Sequence, residues 1–525
     1  MKKIYLTLLV LIIAMMAMAY LYFSRLTAQN MTDNGSLNAA VFNSGLVFCM
    51  QDDKNVLELL KEQNYFQRVI GTENARQLAL LKSEIIANPA INRLIVGNAI
   101  YISFSAGSNQ SNNYLISTQL NTAEGKVNLL NTLKANKIQT EGTATEFKLT
   151  LQDSTIYYGG IKNDLVVISN NKQHAVQALN AHLDKNTQEF AAYMKSGDKY
   201  SKNSLANLYI NFRILPDLLK AFSPDKLPGH IEILKKNNSF AALNYNFSKE
   251  RLFFNGNSRI NDHTNYLSLF ISLKPQKIII DNILPANTAN FTVFIISDYN
   301  AWRKNLATWF SSTKQDNKVK RIINSTNQKY HLDIDEIIPK YFKSQLITFQ
   351  LKSGEKLGAI QLSNGDKLDQ LLLDISENYN EDIKLLKEPD LLYAYFGEPV
   401  SKFNKPYYTI IDNYMVIANS AGTIQSFLNS YRKNELLINT SDYTNLYNHI
   451  SKDASVMFYG NRKNVMDLAR NMMYNADYRY LSAEDGLAPF SSLIYQLSGD
   501  GDNFQTTLVI DAKSASKTDS TMVIR

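Results

Sequence analysis

Three stretches of this 525-residue chain carry side chains able to do chemistry. The first, His331-Leu332-Asp333-Ile334-Asp335-Glu336, sets an imidazole beside three carboxylates. Those donor types hold divalent cations. In an extended strand His331, Asp333 and Asp335 project from one face, which makes them the candidate metal ligands. The same letters also read as a helix start, because acids favour the positive end of the helix dipole.

The second is Ser223-Pro-Asp-Lys226 with Ser353-Gly-Glu-Lys356, two matches to the S-x-x-K spacing of some acylating serine enzymes. Both fall in turn-like sequence without the accompanying motifs. His174 and His182 lie eight apart on an expected helix, too far for the adjacent-turn pairing of helical zinc motifs, and read as surface histidines. No phosphate-binding glycine loop, G-x-S-x-G elbow, C-x-x-C or H-E-x-x-H occurs. No catalytic residue and no cofactor is therefore assigned.

The third stretch suggests binding. Met472, Met473, Tyr474, Tyr478, Arg479 and Tyr480 gather within eleven residues from Asn471, and Tyr, Met and Arg are the types enriched at interfaces. The plain alternative is a helix packing on its own sheet, since the chain holds 30 tyrosines.

The elements that must position these residues come in two series. "YYGGIKNDLVVISNNKQHAVQALN" from Tyr157 is echoed by "YYTIIDNYMVIANSAGTIQSFLN" from Tyr407. Four further pairs follow in the same order at a near-constant offset of about 250 residues, far too long for a solenoid. They are Ser44 with Asn290, Ile102 with Ile347, Asn207 with Ser455, and Phe240 with Ser491 as starting residues. This predicts two tandem related α+β modules, each a largely antiparallel sheet with helices packed on one face. Strands are expected at Val47–Met50 and Val293–Ile296, each followed by an aspartate (Asp52, Asp298) that caps a helix. Hairpins are expected around Asn163 and Asn413, followed by helices Gln173–Leu183 and Ile424–Tyr431. Strand pairs Phe240–Phe247 with Leu252–Asn257, and Ser492–Leu497 with Phe504–Ile510, end the two series. No His or Cys recurs between them, so the shared polar positions read as turns and caps.

Lys2 and Lys3 precede an uncharged run from Ile4 to Phe23. Its Leu, Ile, Val and Phe residues favour membrane insertion by about 3–6 kcal/mol. Ala17-Met18-Ala19 resembles a cleavage site, but the run continues to the length that spans a bilayer, which favours an uncleaved signal anchor. The positive flank keeps the N-terminus inside, so the bulk of the chain is expected in the periplasm or outside the cell. The organisation expected is a transmembrane anchor over 1–26, a polar stalk over 27–36, modules over 37–274 and 286–512, a linker or strand over 275–285, and a polar tail over 513–525.

The lone cysteine, Cys49, rules out an intramolecular disulfide, and the two modules must rely on their cores. A net charge of +7, with basic and acidic residues interleaved, argues against a nucleic-acid partner. The densest basic patch, Lys314, Lys318, Lys320 and Arg321, reads as a helix face that could touch anionic lipid.

Tyr157–Leu179, Tyr407–Leu428 and "NILPANTANFTVFIISD" from Asn282 resemble an uncharacterised bacterial envelope family, a domain of unknown function that is exported and N-terminally anchored. The resemblance covers about half the chain; it implies placement and domain type and brings no catalytic residues. The expectation is a non-catalytic binding or scaffolding protein on the bacterial inner membrane, held by the lipid bilayer and facing another envelope protein or polymer. An envelope hydrolase or carbohydrate-active enzyme with a site in one module, and an apolar-ligand carrier, are the alternatives.

Overall fold

A computed structural model describes residues 35–51, 76–77, 80–86, 88–107, 112–121, 125–135, 138–198, 206–220, 238–246, 251–484 and 486–512, with residues 68 and 248. The anchor over 4–23, nearly all of the stalk, the first S-x-x-K match, Asp52 and the tail over 513–525 lie outside them. Gly35 and Ser36 of the expected stalk begin a helix, Gly35–Val41. No helix among the described residues is long and apolar enough to cross a membrane.

The fold is mixed α+β around one large antiparallel sheet. The first ten strands are β1 (Leu46–Gln51), β2 (Ala99–Ala106), β3 (Asn112–Gln119), β4 (Gln139–Gly142), β5 (Phe147–Thr150), β6 (Ile156–Lys162), β7 (Leu165–Ser169), β8 (Asn207–Asn211), β9 (Ser239–Asn246) and β10 (Arg251–Ile260). They pair in the order β4-β5-β6-β7-β3-β2-β1-β8-β9-β10. After a short β11 (Gln276–Lys277) come β12 (Thr288–Ile295), β13 (Phe342–Leu351), β14 (Lys356–Leu362), β15 (Ser376–Asn378), β16 (Lys384–Leu386), β17 (Tyr407–Ile411) and β18 (Tyr414–Ala418). The last are β19 (Asp453–Ala454), β20 (Val456–Asn461), β21 (Phe490–Gly499) and β22 (Phe504–Ala512). Leaving aside β11 and β19, which pair with each other, this second set runs β15-β16-β17-β18-β14-β13-β12-β20-β21-β22. Strand for strand it is the order of the first set.

The two sets join edge to edge. β10 pairs antiparallel with β22 over eight residues, from Arg251 opposite Asp511 to Ser258 opposite Phe504, and twenty strands become one sheet. Among the described residues the free edges of that sheet are β4 and β15, short strands of four and three residues with Glu141 and Glu377 among them. Short, charged edges resist pairing with other chains.

Helices cover both faces, not one. Alternation along β12 sends Phe291, Val293 and Ile295 into a core with helix Ala421–Arg432, and Phe294 into a different core with helix Tyr299–Ser312. β7 and β18 are buried at every position, which requires cover on both sides. One core is continuous across the seam: Phe254 of β10, Phe504 of β22 and Tyr495 of β21 share a cluster with residues from both ends of the sheet. On the other face the cores are separate, with Phe190, Tyr209 and Phe240 in the first half and Phe291, Tyr443 and Tyr459 in the second.

Local chemistry explains the punctuation. Asp298 accepts the Ala301 amide at 3.0 Å and starts helix Tyr299–Ser312, whose Trp302, Leu306 and Trp309 are buried. Asn171 and Ser420 cap the helices that follow the two hairpins, observed as Lys172–Leu179 and Ala421–Arg432. Asp412 and Asn413 both take positive φ, 46° and 63°, the left-handed pair that a tight hairpin demands. Asn163 takes φ 55° in the first hairpin. The 275–285 stretch is no free linker: Ile278, Ile280, Ile283 and Leu284 sit in the second half's core.

Gly256 marks how close the strands come at the seam. A Cβ there would stand 2.0 Å from the Ala242 carbonyl oxygen, and that neighbour is backbone. Gly256→Ala is therefore expected to lower stability by about 3 kcal/mol. Gly422→Ala, in a helix with open space at its Cβ, is expected to raise stability by about 0.5 kcal/mol. Urea midpoints of the two variants check this; a neutral Gly256→Ala would mean that β9 and β10 are not paired as described.

Candidate functional site

The candidate metal residues are placed apart by two helices. His331 ends helix Asp316–Tyr330 in the left-handed conformation, φ 54°. Asp333 caps helix Ile334–Tyr341 by accepting the Glu336 amide at 3.2 Å. Asp335 accepts the Tyr395 hydroxyl at 2.9 Å and lies 3.9 Å from Arg303, whose guanidinium stacks over the Tyr395 ring. The strand geometry that would align the three is absent. Among the described residues no group of three or more His, Cys, Asp or Glu side chains is arranged to hold a metal ion.

The Met472–Tyr480 stretch is not one helix. Arg462–Arg470 ends at Asn471, and a new helix runs from Asn475 to Ser482 with none of its residues buried. Met472, Met473, Tyr474, Tyr478 and Tyr480 are half-buried and Arg479 is exposed. The Tyr480 hydroxyl donates to the Arg68 carbonyl at 2.6 Å, and the Arg68 guanidinium returns to the Glu484 and Gly486 carbonyls. Part of this cluster therefore ties the two halves together.

The remaining sequence candidates resolve into local structure. The Ser353 hydroxyl donates to Glu355, not to Lys356, in the β13–β14 turn. Of the basic patch, Lys318 pairs with Asp390 at 2.8 Å and lies over the Tyr393 ring. The 275–285 stretch is packed into the second half's core.

His174 corrects the sequence reading. It is buried, on the apolar stripe of its helix with Ala175, Ala178 and Leu179. Its Nε2 lies 3.3 Å from the Ser105 hydroxyl and its Nδ1 3.4 Å from the Ser169 hydroxyl, while Ser169 donates to the Tyr114 carbonyl at 2.7 Å. Phe42 stacks on the ring. Burial alone pulls its pKa down to about 4. Two serines flank the imidazole, and among the described residues no carboxylate is hydrogen-bonded to the ring, so the third partner of nucleophilic catalysis is not in place there. His182, by contrast, is half-buried at the surface.

Two cavities occupy matching positions. In the first half an aliphatic void of about 40 Å³ is lined by Ile85, Ile100, Leu129, Phe147, Val166 and Ile168 among others. In the second half about 10 Å³ remains, because Phe342, Leu392 and Phe396 fill the space. Ligand pockets run to hundreds of cubic ångströms. Neither void can hold a carried ligand.

Two open surface hollows, about 560 Å³ beside Lys318 and Arg321 and about 440 Å³ beside His182, are also present, and beyond them lies the sheet face at the seam. Alternation places Leu252 and Phe254 of β10 in the shared core, and Asn255, Asn257 and Arg259 on the opposite face, where they are exposed. Asn246 and Gln505 on neighbouring strands are exposed there too. This polar strip runs along the seam between the helices of the two halves, and Tyr193 of helix Lys185–Asp198 reaches the Asn257 carbonyl at its edge. Nothing in the sequence alone says that β10 meets β22, but the alternating asparagines at 244, 246, 255 and 257 signal a wet strand face.

No family model, no curated protein and no solved structure matches the chain.

A pH dependence follows from His174. Its folded pKa lies below the unfolded value of about 6.5, so between those values the unfolded chain binds the proton and the native chain does not. The stability it confers is whole above pH 6.5 and declines toward pH 4, by up to about 3 kcal/mol. His174→Gln is expected to flatten that part of the stability–pH curve. Parallel slopes for wild type and variant would show that His174 is not held neutral.

Proposed function

We propose that this chain is a membrane-tethered, extracytoplasmic binding or scaffolding protein of a bacterial envelope, built from two tandem related modules and without a catalytic site. Support for the tandem relation comes from ten strands in each half taking the same pairing order, alongside the echoed sequence at Tyr157 and Tyr407. Support for the tether comes from the uncharged run Ile4–Phe23 behind Lys2 and Lys3.

The observation that carries the binding role is the shape of the seam. The β10–β22 pairing fuses the halves into one rigid sheet and leaves a polar strip open across both of them. Meanwhile a buried acid of the second half is already engaged. Asp281 accepts the Tyr443 hydroxyl, and burial raises both pKa values, so the pair stays protonated on the phenol and away from solvent. A broad, fixed, hydrogen-bonding surface without converging acids or bases suits holding a partner more than transforming a substrate.

The expected outcome in cells is a chain that stays with the membrane through an alkaline wash and is digested by protease added outside the inner membrane. Deleting residues 1–26 should leave it in the cytoplasm. Recovery of the intact chain in the soluble cytoplasmic fraction would overturn the proposal.

A further inference from the structure

Along the seam the open face forms a ladder of neutral polar side chains. Asn244 of β9, Asn255 of β10, Thr507 of β22 and Gln496 of β21 stand in consecutive cross-strand register. One step along, Asn257 stands opposite Gln505. Neighbouring strands lie about 4.8 Å apart, so the floor from β9 to β22 is about 10 Å wide. Helix Lys185–Asp198 walls one side: its Phe190 packs on Phe240 of β9, and its Tyr193 hydroxyl donates to the Asn257 carbonyl at 2.8 Å. The segment from Ser441 to Ala454 walls the other, over β20 and β21.

At that second wall stands an unmet acceptor. Gln496 is 2 % exposed and donates its amide to the Ser451 and Asp453 carbonyls, at 2.9 and 2.8 Å. Its Oε1 is buried without a partner. An unpartnered buried acceptor costs about 1–3 kcal/mol, and here it sits directly cross-strand from Thr507 of the strip.

The chemistry of the strip selects its occupant. Asn257 and Gln505 each offer two donors and an acceptor, Asn255 keeps its donors while its Oδ1 accepts from Asn246 at 2.6 Å, and the threonine hydroxyl offers both, a mixed pattern matched by vicinal hydroxyls. The strip is nearly uncharged, since Arg251 at its end faces Asp511 at 3.6 Å and Arg259 alone adds an exposed cation. That is too little for nucleic acid. Protein partners need apolar or aromatic anchors, and the large exposed hydrophobic residues, such as Val96, Leu373 and Tyr379, lie elsewhere.

We propose that the seam strip binds an uncharged, polyhydroxylated polymer, a glycan strand lying in the trough between the two halves. This rests on the binding role proposed above and names its ligand class. Asn255, Asn257 and Gln505 supply exposed hydrogen bonds from the floor.

The test uses the detergent-solubilised full chain and two insoluble probes, chitin and cellulose, which are uncharged and differ in their N-acetyl groups. Retention on at least one is expected, released by the matching soluble oligosaccharide and insensitive to salt up to about 0.5 M. The N255A/N257A/Q505A variant should weaken retention about tenfold or more with an unchanged melting temperature, because exposed side chains contribute little to folding. Absence of retention on both probes, equal retention of the variant, or retention abolished by salt would each overturn the glycan assignment. Crosslinking across the strip in intact cells separates the two readings: capture of a protein there, with no glycan retention, removes the glycan and leaves the tethered scaffold standing.

Discussion

The antiparallel pairing of β10 with β22 is the constraint on which the rest of the molecule depends. Without it each half would end in a free strand of nine or ten residues, the length and regularity that invite pairing with other chains. With it, those edges satisfy one another. The backbone bonds are reinforced beneath the sheet, where Ser258 of β10 lies 3.1 Å from the Tyr495 hydroxyl and accepts the Thr506 hydroxyl at 2.8 Å. Burial pushes the Tyr495 phenol well above its usual pKa, so it remains a neutral hydrogen-bonding group at every physiological pH. A polar trio inside an apolar layer tolerates one register, since a slip by one residue would strand all three hydroxyls.

The two faces respond differently to that join. On the inner face, apolar residues continue across the seam, so Phe212 of the first half meets Tyr495 of the second edge to face. On the outer face each half brings its own helices, and their cover at the join is limited to Tyr193 at Asn257 and to the second half's core against Phe253. Residues that would be core elsewhere in the sheet are therefore replaced by Asn, Gln and Thr. The polar strip is thus a geometric consequence of joining two finished three-layer units at their edges: burial on that face ends where the helices end.

Much of this was legible in the chain. Both hairpins, their turn residues, the paired C-terminal strands and the Asp298 cap follow from period-two patterning and from what tolerates left-handed backbone. The cover on both faces was signalled too, because runs such as Leu165–Ile168 and Tyr414–Ala418 do not alternate. His174 could have been found from its neighbours Ala175, Ala178 and Leu179, which share its stripe, and Asp333 from the acid three residues on that marks a helix start. The seam could not be read this way. Which edge strand meets which is decided by tertiary packing, and two amphipathic strands 250 residues apart carry no local mark of their pairing. The strip was hidden with it, since a wet strand face looks like any solvated edge until its neighbours are known.

The halves differ in how their interiors are packed. In the second half Tyr299, Phe342 and Phe396 stack within 6.2 Å of one another, and helix Leu391–Phe396 drives Leu392 and Phe396 into the space beneath the sheet. The corresponding stretch of the first half, between β5 and β6, is a five-residue turn with no such helix, and an aliphatic void stays open. Unfilled volume forfeits dispersion contacts and costs stability roughly in proportion to its size. Because the sheet is continuous, the first half's side of the strip is held through the β10–β22 pairing by the second half. A surface that recognises an extended partner by many weak hydrogen bonds needs its donors and acceptors fixed before the partner arrives. The edge-to-edge join supplies that preorganisation to both sides of the trough at once.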